Sequence, residues 1–483
     1  MKYSVRNIDY IEMDGNIILP IFEGSMEKSD CSLSMMMEKD KIPKNIYNIF
    51  SGKCDENEVI HMDKYSMYLL GLGTKVEWSK LLLNIDCLVK KIYSLDINKI
   101  QIILTCSNLD LEFVINAFML SFYRYTNYKS LDDNSYNKTV YFVVDIDEEA
   151  KCKLCIKMGN IINEIRSLTN SPRNHINVDN LASHISEQCM DHDIYVDILN
   201  YKKLKELGFG LICGVGQGSQ NKPKMAVIHY KNLGDTQPIV LCGKGVLYDS
   251  GGYNLKGSSM YYMNDDMYGA ILVYGIIRVC KIFDIKINLI GICPLVENMI
   301  GSEAQRPSDI CKAYDGTNVE IVDTDAEGRL ILGDAIAYAK EFNPILIMAM
   351  ATMTGCSDKI FSNKSSIMYS RDKYKKYVNP IIRIGKKYGE VVSYLPILDE
   401  MLECIESDRA DVKNTDLPST GKAARFAYPA VFLDHFSPKE VPFIFWDISS
   451  MAINSEDGNP GASGYGLRLM VNYIRKLSGI ASY

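Results

Sequence analysis

Apolar positions in this chain come in short runs broken by polar turns, and two different arrangements follow one another. In residues 1–150, β-branched apolar runs at 98–107 and 137–147 predict strands. Between them, 111–125 has the length and periodicity of a helix, and the polar run 126–138 reads as a loop. From about 175 on, strand-like runs recur at 223–230, 237–248, 286–296, 344–353 and 441–448, with helical patterns near 266–282 and 327–341. Such alternation predicts a mostly parallel central sheet flanked by helices on both faces, with ligands bound at the carboxyl ends of its strands. The expected architecture is α/β in two domains. A smaller N-terminal α/β domain covers 1–150, a linker helix 151–173 ends in the break Asn170-Ser-Pro-Arg-Asn174, and a larger C-terminal domain covers 174–483.

Composition narrows the function classes. A chain of 483 residues suits two domains, and 47% hydrophobic with 23% charged residues is ordinary for a globular protein. A net charge of −7 argues against general attraction to nucleic acid or to an anionic membrane. No apolar run is long enough to predict a membrane span. The first twenty residues place acids among their apolar positions, so no secretory leader is expected. The 14 scattered cysteines then read as reduced thiols of a cytoplasmic protein.

Polar chemistry gathers in three places. GKGVLYDSGGYNLK (243–256) carries Lys244, Asp249 and Lys256 out of an apolar strand. MNDDMYGA (263–270) sets Asp265 and Asp266 before an apolar helix. VDTDAEGRL (322–330) holds Asp323, Asp325, Glu327 and Arg329. If the last stretch stays extended, its three carboxylates share one face. Acids there also suit a helix N-terminus, where the dipole favours them, so a helix cap competes with a ligand site. Asp249, Asp266, Asp325 and Glu327 together carry −4, which two divalent cations would balance. Oxygen-rich sites favour hard or borderline metals. None of the six histidines lies in these clusters, which excludes an HExxH zinc site. Cys152-Lys-Leu-Cys155 has no companion pair and reads as helix packing. GVGQGS (214–219) lacks a phosphate-loop ending and reads as a turn before a strand.

The stretch DTDAEGRL (323–330) resembles the NTDAEGRL signature of the leucyl aminopeptidase family, the cytosolic dizinc exopeptidases. The likeness continues in SLTNSPRN (167–174), GVGQGS, GKGVLYDSGGYNLK, ENM..SEAQRPSD (297–309), ATMTG (351–355) and GASGYGLRL (461–469). Residues 1–150 match the family only in size and α/β character. The resemblance implies a C-terminal catalytic domain, a homohexamer and hydrolysis of the N-terminal residue, Leu-type preferred, from short peptides with a free N-terminus. It also implies two divalent metal ions, zinc with manganese, magnesium or cobalt at an exchangeable position, and a bicarbonate ion as base. By position, Asp249 and Glu327 correspond to shared ligands, Lys244 and Asp266 to ligands of one ion, and Asp325 to a ligand of the other. Lys256 matches the catalytic lysine, and Arg329 the arginine that holds bicarbonate. Met263, Asp323, Gly328, Thr352, Met353, Thr354 and Gly355 fall where the family binds substrate or the anion.

The match has departures. Position 323 is Asn in the family and Asp here. Asp265 stands where a small or apolar residue is common beside the pocket for the first substrate side chain. Either the extra acids pair with groups such as Lys422 or Arg425, or they tune metal retention or admit cationic side chains. A catalytically weakened family member with a structural or regulatory role is the alternative reading. All seven ligand and catalytic positions are nevertheless present.

Overall fold

The computed structural model describes residues 1–11, 15–23, 50–62, 65–93, 98–105, 109–130, 138–416, 427–454 and 461–479. Two compact units emerge: Met1–Asn163 with Lys387–Gly389, and Glu164–Lys386 with the residues from Glu390 on. The helix Glu149–Asn170 is continuous. It buries both Cys152 and Cys155.

The first unit holds a six-stranded sheet in the order Lys2–Asn7, Thr139–Val144, Lys99–Ile103, Gly15–Phe22, Tyr65–Gly73 and Asn57–His61. All neighbours are parallel except the closing pair Asn57–His61 and Tyr65–Gly73. The predicted helix is Leu111–Phe122, capped by Asp110, whose side chain accepts from the Phe113 amide.

The second unit is built on a nine-stranded sheet. Its order is Val392–Pro396, Ser366–Ser370, Phe443–Asp447, Leu346–Ala351, Ile239–Gly243, Asn288–Asn298, Lys224–Lys231 and Tyr195–Leu199, with Gly245–Asp249 also paired to Asn288–Asn298. The central pairs are parallel, whereas Lys224–Lys231 joins both its neighbours antiparallel, as Ser366–Ser370 joins Phe443–Asp447. Every residue of Ile239–Gly243, Asn288–Asn298 and Leu346–Ala351 is buried. Their unbroken apolar runs are therefore those of strands covered on both faces. The helices Tyr268–Ile282 and Glu327–Ala339 supply much of that cover and are themselves buried nearly all round. Val240, Ile292, Leu330, Ile336, Ile347 and Phe432 belong to one continuous core.

Three sequence expectations change in detail. The run 237–248 is two strands, Ile239–Gly243 and Gly245–Asp249, interrupted at Lys244. In GVGQGS, Gly214–Gly216 ends a helix, Gly210–Gly216, and only the rest forms a turn. The glycines permit that packing: a Cβ at Gly216 would meet Pro223 Cγ at 2.4 Å. Third, VDTDAEGRL is not extended. The strand Asn318–Glu320 has already ended, the Asp325 amide donates to Asp323 Oδ1 (2.8 Å), and the Ala326 amide donates to the Asp323 carbonyl (3.3 Å). An aspartate that turns the chain through its own side chain defeats strand alternation. Among the described residues no helix is long and apolar enough to cross a membrane.

Candidate metal centre

The centre is assembled at the carboxyl ends of the parallel strands. Lys244 sits at the strand interruption. Its amide donates to the Met350 carbonyl (3.0 Å), and its carbonyl accepts from the Ala270 amide (2.8 Å). Flanking Gly243 and Gly245 let helix and sheet close on this point, because a Cβ at Gly243 would lie 2.4 Å from the Gly269 carbonyl oxygen. The Lys244 side chain is thereby buried. Its Nζ lies 2.7 Å from Asp266 Oδ1 and 3.0 Å from Glu327 Oε1, and donates to the Thr352 carbonyl at 2.8 Å.

Asp249 closes the strand Gly245–Asp249. Its Oδ1 accepts from Asn298 Nδ2 (2.8 Å) and from the Gly251 amide (2.9 Å), and its Oδ2 faces Lys256 Nζ at 2.8 Å. Lys256 also pairs with Asp325. Gly251 and Gly252 adopt φ of +86° and +64°, which lets the chain double back and bring Lys256 over the end of its own strand. Asp266 Oδ1 accepts a further hydrogen bond from Thr352 Oγ1 (2.8 Å).

The turned acids still converge. Asp249, Asp325 and Glu327 present oxygens within 4.8 Å of one another, although only Glu327 belongs to the helix. Glu327 is the acid of the helix's first turn, as the helix-terminus reading expects, whereas Asp323 and Asp325 lie before the Ala326 N-cap. Burial pushes Asp325 up to about 7, reinforced by Asp249 and Glu327. Burial likewise raises Asp249 and Asp266 above the usual carboxylate range. Glu327, despite its burial, is held below that range by Lys244 and Lys256. Burial works against both lysine charges, yet the surrounding carboxylates keep both above the usual lysine range.

Two features fit this constellation to cations. Asp266 Oδ2 and Glu327 Oε2 are buried with no hydrogen-bond partner, an arrangement that costs free energy unless a cation completes it. Four carboxylates also outnumber the two lysines among them, in a donor set of oxygens and an amine that suits divalent ions. A separate feature fits an anion. The Arg329 guanidinium is buried, donates through Nη1 to the Asn414 carbonyl (2.8 Å) and leaves Nε without a partner. No carboxylate among the described residues lies within ion-pair distance of it. Burial lowers its affinity for its own proton to a pKa of about 10.

The remaining nominated residues fall around this core. Gly328 lies against the Lys244 stem. The Met353 amide donates to Ser449 Oγ (2.6 Å), and Thr354 Oγ1 donates to Asp447 Oδ2 (2.7 Å). Gly355 opens a short helix, Cys356–Phe361. Met263 and Asp265 are half-buried in the turn Ser258–Asp265, and burial pushes the Asp265 carboxyl up to about 6. Lys422 and Arg425 lie outside the described residues. Sequence reasoning missed Asn298, Asn414, Asp447 and Ser449. Each is an ordinary polar residue remote in sequence from the group it holds, and no local signal marks it.

Comparisons with known proteins agree with this arrangement. Residues 163–471 match the catalytic domain of the cytosol aminopeptidase family. A probable cytosol aminopeptidase of Chlorobaculum tepidum is 36% identical over 323 residues, which are 66% of this chain and 63% of the relative. One from Rickettsia canadensis is 33% identical over 373 residues, 75% of this chain and 74% of that one. The match thus spans just under two thirds of the length of the first of these relatives. Among solved structures, the bottromycin maturation enzyme BotP in complex with Mn superposes with a TM-score of 0.82 at 22% identity, covering 96% of this chain and 99% of that one. A mutant of tomato leucine aminopeptidase also gives 0.82 at 22% identity, covering 99% and 96%. These two likenesses concern the fold. With its catalytic-domain match running through every element that builds the centre, the chain belongs to the cytosol aminopeptidase family.

Proposed function

We propose that the protein is a metal-dependent aminopeptidase that removes the N-terminal residue, Leu-type preferred, from short peptides. The observation that carries this reading is the pair of unpartnered buried oxygens, Asp266 Oδ2 and Glu327 Oε2, on two carboxylates bridged by Lys244, beside Asp249 and Asp325, whose oxygens lie within 4.8 Å of those of Glu327. Asp249, Asp266, Asp325, Glu327 and Lys244 would hold two divalent cations, zinc with manganese, magnesium or cobalt at the exchangeable position. Bound there, such ions supply an activated water near neutral pH and a hold on the substrate's free α-amine and carbonyl.

The chain's own groups do the rest. Lys244 must give up a proton to act as a ligand, and the carboxylates that now keep it protonated are those two cations would neutralise. Lys256, here paired with Asp249 and Asp325, would donate to the scissile carbonyl and to the negative charge that grows on it. Arg329, with a free buried Nε, would hold bicarbonate as the proton acceptor, a role open in a centre without histidine. Gly328 would lend backbone to that anion. The Met353 amide, already given to Ser449 Oγ, would have to be released to do so. Met263, Asp323, Thr352, Thr354 and Gly355 would contact substrate. A cytoplasmic homohexamer completes the reading carried by family membership.

The expected result is that metal-free protein does not hydrolyse Leu-amidomethylcoumarin, that Zn, Mn or Co restores hydrolysis, and that an N-acetylated substrate is not cleaved. No hydrolysis with any metal would leave the weakened, structural reading in its place. A substrate panel on Asp265→Ala tests the half-buried Asp265. An unchanged preference for Leu over Lys and Arg removes it from specificity.

A further inference from the structure

We infer that Asn414 is a positioning residue of the proposed metal centre. Its side chain fixes the turn that presents Asp325 and Glu327, and its backbone fixes Arg329 to the same frame. The inference rests on the dimetal reading above.

The local chain explains how Asn414 arrives there. Val412–Lys413 pairs in parallel with Val319–Glu320, and the Asn414 amide donates to the Glu320 carbonyl (3.0 Å). This short ladder is pinned at both ends. The Asn318 amide donates to Asp411 Oδ2 (2.7 Å), and Ser407 Oγ and Arg409 Nη1 donate to the Glu320 carboxylate (2.5 and 3.1 Å). Beyond Glu320 the strand stops, and the Asn414 side chain takes over from the missing strand. Its Oδ1 accepts from the amides of Val322 (2.8 Å) and Asp323 (3.3 Å), while its Nδ2 donates to the Asp323 carbonyl (2.7 Å).

A carboxamide has the donor and acceptor of a peptide group, so one buried side chain imitates a partner strand for two residues. Those two residues lead directly into the turn closed by Asp323 Oδ1, from which the Asp325 and Glu327 oxygens project. The Asn414 carbonyl meanwhile accepts Arg329 Nη1 (2.8 Å) and leaves Nε free. One residue therefore ties the cation ligands and the candidate anion-binding arginine to a common support. Such constellations work only when held to about 0.5 Å.

Two variants separate positioning from mere folding. Asn414→Asp keeps the size and the acceptor for Val322 and Asp323 but loses the donor to the Asp323 carbonyl. Asn414→Ala loses all three side-chain bonds. Metal-free protein is titrated with cobalt(II) by calorimetry, and kcat and KM are measured on the loaded enzyme. The expected result is folded Asn414→Asp with at least tenfold weaker cobalt binding, kcat at least tenfold lower and KM within threefold. Asn414→Ala should shift further in the same direction. Wild-type cobalt affinity in either folded variant would overturn the inference, and so would failure of both to fold, which would make Asn414 a folding determinant. If wild type binds cobalt but hydrolyses no Leu substrate, the aminopeptidase reading fails, yet the cobalt titration still decides the role of Asn414.

Discussion

The Lys244 side chain lies over the α-carbon of Gly328, so near that a Cβ there would sit 2.4 Å from Lys244 Cε and 2.6 Å from Nζ. In an exposed helix, exchanging glycine for alanine stabilises by roughly 0.5–1 kcal/mol. Here overpacking, at about 1–3 kcal/mol, outweighs that gain, and the flexible lysine is the part that must move. Gly328→Ala should therefore displace Nζ from Asp266 and Glu327. The expected outcome is a tenfold or greater loss of kcat/KM with weakened metal retention, while the melting temperature falls by only a few degrees. Calorimetric metal titration beside thermal unfolding checks both.

Asp323 uses its side chain to close the turn, a task that an amide oxygen performs equally well. Asp323→Asn should leave urea-unfolding stability within about 0.5 kcal/mol of wild type, whereas Asp323→Ala should lose on the order of 1 kcal/mol, the worth of one such bond. If Asp323→Asn also leaves metal affinity and kcat/KM unchanged, the extra charge has no tuning role.

Asp334, on the helix Glu327–Ala339, accepts the amides of Leu211 and Ile212 on Oδ2 (3.0 and 2.9 Å) and of Tyr314 on Oδ1 (2.8 Å). It thus caps the helix Gly210–Gly216 from a distance. Asp334→Ala would orphan two buried donors and a part-buried one and should destabilise by about 3 kcal/mol. Burial pushes this carboxyl up to about 7 in the folded state. A raised carboxylate stabilises fully below its unfolded value near 3.8, and that stability is lost as pH rises through about 7. The gap between wild type and Asp334→Asn should therefore narrow from pH 4 to pH 7.5 in denaturant titrations.

Glu164 gives the opposite sign. It is mostly buried, yet hydrogen bonds from His184 (3.0 Å), Arg278 (2.7 and 2.6 Å) and Tyr274 (2.6 Å) hold it down at about 2. Its contribution is present above the unfolded value near 4.5 and lost as pH falls toward 2. Glu164→Gln should cost about 2–4 kcal/mol at pH 7, because Arg278 is left buried without its partner. That difference should fade below pH 4.

The chain's own pattern disclosed the central parallel strands, the two flanking helices and every charged member of the cluster around Lys244. It did so because buried strands read as apolar runs and because charges at their ends are conspicuous. Ser366–Ser370 and Val392–Pro396 escaped notice. Serines and half-exposed positions dilute the strand pattern, and their pairing with Phe443–Asp447 and with each other is set far away in sequence. The turn at Asp323 escaped for another reason. Alternating acids fit a strand equally well, and only the bond from the Asp325 amide to Asp323 Oδ1 decides between the two. Asn298 and Asn414 act across 26 to 92 residues, a range over which local pattern carries no information.

The interruption at Lys244 makes spacing a heritable constraint on part of this centre and not on another. Gly245–Asp249 pairs in parallel with Leu295–Asn298 and already spends one extra residue on a bulge between Val246 and Tyr248, with Asp249 set opposite Asn298. One residue inserted between Lys244 and Asp249 would turn each later side chain of that strand to the opposite face and carry Asp249 away from Lys256. The turn Ser258–Asp265 pairs with no strand of either large sheet, so length changes there leave that register intact. Homologues should therefore drift in length along 257–262 and keep the length of the six-residue segment Lys244–Asp249 fixed.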